Sequence, residues 1–237
     1  MRVVITQPNY FPWRGWFAQV NSADLLILYD TVQYTRRDWR NRNRIRSPSG
    51  QATWLTVPVR VAGKFYQAIS DTRVVDSTWC ERHLRKIRHV YSDLQAFSDI
   101  APDLDTCLRS LENTDLLLDV TQSTTEWVLD LLGVKTPVIL ASSLSHEGRP
   151  SERLAQLVAV SGGTTYLTGP AALSYLDETP FVEADIDIEV FDYALLDHDP
   201  EGQLPDGEYS VIDALARLGP ERVRELISPA HSWTRRI

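Results

Sequence analysis

Residues 2–30, RVVITQPNYFPWRGWFAQVNSADLLILYD, decide the fold class. RVVIT (2–6) is a short apolar run, read as a buried strand that Pro8 ends, because proline has no N–H to give to a ladder. Residues 14–22 fit a short helix, and ADLLILYD (23–30) is a second apolar strand ending at Asp30. The same alternation returns later in the chain. TPVILASSL (136–144), TTYLTG (164–169) and DIDIEVFDY (185–193) read as strands, with helices over 151–161 and 171–176. A last helix, capped by Ser210 and interrupted at Gly219-Pro220, runs to about Ile227. Alternating strands and helices predict an α/β fold, with a mostly parallel or mixed sheet and flanking helices.

Between these strands lies a helical block. Leu84, Ile87, Val90, Tyr91 and Leu94 repeat at helical spacing over about 77–94, with Asp76 or Ser77 as cap. Helices over about 99–112 and 115–132 follow, the latter ending at the C-cap Gly133. TWLTVPVRV (53–61) alternates as a strand, with Pro58 marking an edge, and 68–75 is a weaker strand. HDPEGQLPDGE (198–208) has the composition of a loop. Residues 1–237 are read as one α/β domain carrying a helical segment at about 77–133.

The 237 residues carry a formal net charge of -8, but the average conceals a division. Residues 1–92 have a net charge of +9 and hold 13 of the 22 aromatic residues, whereas residues 93–237 have a net charge of -17. A hydrophobic fraction of 43% argues against disorder. No apolar run approaches the roughly 20 residues of a membrane span. MRVVITQPNY is too short in apolar residues for a secretory signal, so a cytoplasmic protein is expected. The two cysteines, Cys80 and Cys107, cannot make a disulfide framework and lack zinc-ligand spacing. His89, His146, His198 and His231 offer no ligand spacing either; no metal or cofactor is expected. G-x-S-x-G, G-x-x-x-x-G-K-[ST] and G-x-G-x-x-G are all absent.

Two stretches carry chemistry. QPNYFPWRGWF (7–17) follows the first strand, and the carboxyl ends of α/β strands are where loops gather ligands. Gln7 and Asn9 count against pure packing, since buried amides need several partners. Gly15 permits close backbone approach or a positive φ. DTVQYTRRDWRNRNRIR (30–46) follows the second strand and has six arginines within Arg36–Arg46. Such a run repels itself unless something anionic compensates it: acids of the C-terminal half, a phosphorylated or carboxylated ligand, or nucleic acid. In extended conformation Arg40, Arg42, Arg44 and Arg46 share one face, and Asn41, Asn43 and Ile45 the other.

Asp30 is the general-base candidate by position, or else an acid that organises Arg36 or Arg37. His83, on one helix face with Ile87 and Tyr91, points toward the interior or toward a cleft.

These stretches, with TWLTVPV (53–59), YLTGPAALSYLD (166–177) and YSVIDALARLG (209–219), closely resemble the bacterial WbqC-like proteins over nearly the whole chain. The matching positions are Gln7, Pro8, Tyr10, Pro12, Trp13, Gly15, Phe17, Asp30, Gln33, Arg37, Trp39, Asn41, Arg42, Asn43 and Arg44. Family members often carry His before the Gln-Pro, where this chain has Thr6. The resemblance implies a role in clusters for surface glycans or secondary metabolites, and transfer of an aminoacyl or other acyl group onto an amino sugar. In that picture Arg37, Arg40, Arg42 and Arg44 hold a phosphate or carboxylate. Trp13, Trp16 and Trp39 face a sugar or base, and Asp30 or His83 takes the amine proton.

The substrate is then an anionic or carrier-linked small molecule. In architecture alone, the opening resembles nucleotidyltransferase-like folds such as pantothenate synthetase, which joins an acid to an amine through an acyl-adenylate. The His-x-Gly-His signature of those folds is absent here. An ATP-dependent acid–amine ligase is therefore the second expectation. A nucleic-acid-binding module is the third, disfavoured by the net charge of -8.

Overall fold

A computed structural model describes residues 1–47, 50–196, 209–228 and 234–236. The chain opens with β1 (Arg2–Thr6), α1 (Arg14–Asn21) and β2 (Leu25–Leu28), then a two-stranded ribbon of β3 (Arg42–Arg46) and β4 (Ala52–Thr56). A helical block of α2 (Thr78–Tyr91), α3 (Gln95–Ser110) and α4 (Leu117–Leu132) follows. The chain then returns to the sheet through β5 (Val138–Leu140), α5 (Pro150–Val160), β6 (Thr165–Thr168), α6 (Thr179–Glu183) and β7 (Asp187–Phe191). It ends with α7 (Val211–Leu226) and β8 (Thr234–Arg236).

The strands of the main sheet run in the order β5-β2-β1-β6-β7-β8, all parallel except the antiparallel pair β7–β8. Counting only the parallel strands, the order is third-second-first-fourth-fifth. This is the expected α/β class, in its doubly wound form. Parallel strands must be covered on both faces. Val4, Leu26, Leu28, Leu167 and Phe191 pack with α1, α7 and the helical block on one face. Val3, Ile5, Ile27, Tyr166 and Ile188 pack with α5 and α6 on the other. Because the order reverses between β1 and β6, the connections that follow these two strands part to opposite sides. A crevice opens there at the strands' carboxyl edge.

Several boundaries move for local reasons. The 53–61 strand shortens to β4, since Pro58 cannot extend the ladder. Residues 68–75 make only isolated bridges, Gln33 to Ala68, Val59 to Val74 and Arg73 to Leu116. The 136–144 strand stops at Leu140 and tightens into a 3-10 turn at Ala141–Ser143, and 171–176 is a 3-10 turn at Pro170–Ser174. Asp76, rather than Ser77, caps α2, accepting the Thr78 amide at 2.9 Å. Gly133 takes the left-handed conformation at the end of α4, with φ 67°. Gly219, at φ 77°, breaks α7 where the Gly-Pro pair stands. The loop expected at 198–208 lies outside the described residues. Among those described, no helix is long and apolar enough to cross a membrane.

The two charge halves interleave: β1 and β2, from the basic half, lie between β5 and β6, from the acidic half. A fragment ending near residue 92 would expose Val3, Val4, Leu26 and Ile27, all buried in the whole chain. It is expected to lack cooperative unfolding and dispersed amide NMR signals; a dispersed spectrum of residues 1–92 would refute this.

Candidate functional site

At the reversal between β1 and β6 lies a cavity of about 390 Å³, lined by Asn9, Pro12, Trp13, Trp16, Trp39, Asn43, Gly169, Pro170, Ala171 and Tyr193. Residues 9–16 come from the connection after β1, and Gly169–Ala171 from the connection after β6. Trp39 and Asn43 come from the arginine-rich stretch. The site therefore sits where an α/β sheet of this order binds ligands.

The aromatic loop is bent by packing. Phe11 is buried and has φ 42°, a conformation that bulky residues rarely take. Asn43, 3% exposed, holds it there. Its Nδ2 donates to the Phe11 carbonyl at 2.7 Å and to the Tyr10 carbonyl at 3.2 Å, and its Oδ1 accepts the Arg44 amide at 2.8 Å. The Tyr10 amide bonds the Trp39 carbonyl at 3.0 Å, and the Val211 amide bonds the Pro12 carbonyl at 2.9 Å. The loop is thus tied at three points, to β3, to the turn before it and to the start of α7. Gly15 serves by close approach. A Cβ there would lie 2.3 Å from the Trp13 ring. The Trp13 indole lies over that backbone and meets Tyr193 at 5.1 Å between ring centroids. Trp16 Nε1 donates to Thr6 Oγ1 at 3.2 Å, so the last residue of β1 anchors a wall of the cavity.

The arginines divide between the rim and their own scaffold. β3 shows the expected alternation, with Asn43 and Ile45 buried and Arg42, Arg44 and Arg46 half-buried. Arg40 bonds Asn9 Oδ1, a cavity residue, and pairs with Asp38 at 3.5 Å. Burial lowers the Arg40 pKa, and attraction to Asp38 opposes the shift. Burial works against the Asp38 carboxylate, but hydrogen bonding from Thr35 and attraction to Arg40 hold its pKa below the usual value. Arg42 stacks 4.2 Å over Trp54 and donates to the Arg37 carbonyl. Arg44 lies 5.9 Å over Trp39 and 5.1 Å over Tyr209.

Of the residues singled out by sequence, Asn9, Trp13, Trp16, Trp39 and Asn43 line the cavity. Gly15 supports it, and Arg40 reaches it through Asn9. Others lie elsewhere. Arg37 and Gln33 are exposed, and Gln33 donates to the Phe65 carbonyl at 2.8 Å. Asn41 is buried, bonding the Val57 carbonyl at 2.8 Å. Tyr10 is fully buried, and its hydroxyl bonds His83 Nδ1 at 2.9 Å. His83, 1% exposed, also bonds the Thr56 carbonyl at 3.1 Å, so it points to the interior rather than a cleft. Asp30 is fully buried at the carboxyl end of β2. Its Oδ1 accepts the Ser142 amide at 2.9 Å, and its Oδ2 has no partner among the described residues. Gln7 follows β1, and its Oε1 is likewise buried without a partner.

Gly169, Pro170, Ala171 and Tyr193 also line the cavity, and sequence reasoning does not reach them. The signal for the first three is the Gly-Pro that follows β6, which becomes meaningful only once β6 is known to lie beside β1; Tyr193 carries none.

A doubly wound α/β protein with an aromatic, amide-lined cavity at its reversal point is the class that this fold and site define. Comparison of sequences makes the assignment narrower. The family model described as "WbqC-like protein family" matches residues 7–225, and the chain belongs to that family. It is 40% identical over 194 residues to the uncharacterized protein Rv1507c of Mycobacterium tuberculosis, across 81% of this chain and 82% of that one. No solved structure matches the chain.

Asn43→Ala removes both carbonyl contacts that hold Phe11 and is expected to cost about 2–3 kcal/mol in urea unfolding. A loss under half a kcal/mol would show that the bend does not depend on this amide. Burial lowers the His83 pKa to about 3, against an ordinary 6.5. The folded chain thus keeps His83 neutral where the unfolded chain binds a proton. Its contribution is complete above about 6.5 and is lost as pH falls from 6.5 toward 3. Wild-type stability should therefore fall more steeply across that window than that of His83→Gln; parallel pH profiles would contradict the buried neutral ring.

Proposed function

We propose that the protein is an amide-forming acyl or aminoacyl transferase. Its acceptor is an amino sugar or similar amine presented on an anionic group such as a nucleotide or carrier. The observation that supports this reading is the cavity itself, with indole walls from Trp13, Trp16 and Trp39, amide groups from Asn9 and Asn43, and Arg40 behind Asn9. Flat aromatic surface suits a sugar face or a base, amides suit hydroxyls, and guanidinium groups suit phosphate. About 390 Å³ is the size of a small-molecule site.

In the step we propose, the acceptor nitrogen attacks an activated acyl carbon. A carbon–nitrogen bond forms, the bond from that carbon to its leaving group breaks, and the nitrogen's proton passes to a base. Asp30 is our candidate base, because it lies at the same strand edge and its Oδ2 has no partner among the described residues. His83 is a poor candidate, since both ring nitrogens are engaged inside the core. It acts instead through Tyr10 as a support of the aromatic loop. On this reading the protein works in the cytoplasm, in the assembly of surface glycans or secondary metabolites.

A second reading is ATP-dependent activation of a free acid in the same site. The third-second-first-fourth-fifth strand order favours it, because nucleotides bind at the reversal point of such sheets. The nucleic-acid reading gains nothing from the ribbon, where Arg42 and Arg44 stack on Trp54, Trp39 and Tyr209 of the chain itself.

Incubation with amino-sugar nucleotides and activated acyl donors, followed by product mass, should show an added acyl group. Asp30→Asn should lower turnover about 10²-fold or more with little change in acceptor binding. Equal turnover in that variant would remove Asp30 as base. Release of pyrophosphate or AMP from ATP and a free acid would decide for the second reading.

A further inference from the structure

A second polar cluster lies at the same carboxyl edge, on the face of the sheet covered by α5. Tyr29 is its centre. The residue is 8% exposed, and its hydroxyl has no hydrogen-bond partner among the described residues. Arg153 lies in the first turn of α5, whose next residue, Leu154, packs in the same core cluster as Tyr29, and its buried Nε likewise has no hydrogen-bond partner among the described residues. The His146 ring meets the Tyr29 ring at 5.8 Å between centroids, and His146 Nε2 bonds Thr31 Oγ1 at 2.9 Å.

Gln7 joins the cluster through strand register. Thr6 pairs with Leu28, and the Tyr29 amide bonds the Thr6 carbonyl at 2.8 Å, so Gln7 and Tyr29 are the next residues of neighbouring strands. Alternation from Ile5 and Ile27, both in the core under α5, places Gln7 and Tyr29 on that same face. Its Oε1 is a third buried atom without a partner among the described residues.

Three buried polar groups left unpaired at one strand edge are costly, because each forfeits its hydrogen bonds to water. They are not compensated by the acid of α5's first turn, since Glu152 is bonded to the Arg149 side chain at 2.7 Å. The available donors are an arginine N–H and a phenol O–H, close to the N-terminal turn of an eleven-residue helix, where the peptide dipoles favour negative charge. The amide of Gln7 adds an acceptor.

We infer that Tyr29, Arg153 and Gln7 form a binding site for a small carboxylic acid, separate from the aromatic cavity. The carboxylate oxygens would accept from Arg153 Nε–H and Tyr29 O–H, and a donor on the acid, such as an amino or hydroxyl group, would meet Gln7 Oε1. Gln7, Pro8 and Asn9 then form the divide between two substrates: Asn9 lines the aromatic cavity and Gln7 faces the acid. Its role as the acyl side of the reaction rests on the reading of the protein as an amide-forming enzyme; the binding itself does not.

The test is ligand-observed NMR on the whole protein with acetate, glycine and lactate as separate probes, beside a nucleotide titration monitored by tryptophan fluorescence. At least one acid should bind the wild-type protein. Tyr29→Phe and Arg153→Gln should each weaken it by about tenfold, the loss expected for one hydrogen bond to a charged group. Trp13→Ala should leave acid binding unchanged. Near-UV circular dichroism checks that each variant keeps its packing. Absence of binding by all three acids, equal binding by both cluster variants, or equal loss in Trp13→Ala would each overturn the proposal. Acid binding without any nucleotide binding would leave this site standing and count against the transferase reading.

Discussion

The aromatic cavity depends on one buried amide. Asn43 donates from β3 to two successive carbonyls of the loop after β1, and so holds Phe11 in a backbone conformation that a bulky side chain does not otherwise keep. Without that bend, Trp13 and Pro12 would not turn back toward the connection after β6. The two-stranded ribbon is therefore more than a carrier of arginines. It is the clamp that shapes the ligand loop, and its burial pattern, with Asn43 and Ile45 inward, shows which face does the clamping.

The same ribbon resolves its own charge problem locally. Arg36 and Arg42 donate to backbone carbonyls of Val61 and Arg37, Arg42 and Arg44 lie over indole and phenol rings, and Arg40 pairs with Asp38 and Asn9. Stacking, carbonyl bonds and the Asp38 pair hold these guanidiniums in place beside the cavity. From the acidic half, buried Asp213 reaches β3: it accepts the Arg46 amide at 3.1 Å and the Tyr91 hydroxyl, and bonds Arg217 at 3.0 Å. Ser210, whose amide bonds the Arg44 carbonyl at 2.9 Å, and Asp213 thus fasten α7 against β3.

Legibility was uneven for physical reasons. The apolar runs of β1 and β2, the period of α2 and α4, Gly133 and the Gly219-Pro220 break were readable, because each reports a local backbone preference. Trp13, Trp39, Asn9 and Asn43 were readable as a group, because such density of aromatic and amide side chains after two strands has few packing explanations. Arg37 and Gln33 belong to the same motif, but both are exposed: Arg37 stands in a turn at φ 58°, and Gln33 bonds the Phe65 carbonyl. His83 was placed on an inward helical face without showing what it would meet. Its bonds to Tyr10 and Thr56 span 73 and 27 residues.

By itself, the sequence determined the alternation of strands and helices, the helical block, the extended arginine ribbon with its two faces, and the family. Each of these follows from local periodicity, from turn chemistry or from the residue motifs themselves. Only the tertiary structure decided that β6 lies beside β1, so that Gly169–Ala171 complete a cavity begun by Asn9–Trp16, and that Tyr29, Arg153 and Gln7 share one edge. Apart from Gln7 and Tyr29, which neighbouring strands bring together, those pairings join segments more than a hundred residues apart. They are set by which strand faces can be buried together, a property of the packed sheet that no single stretch of the chain contains.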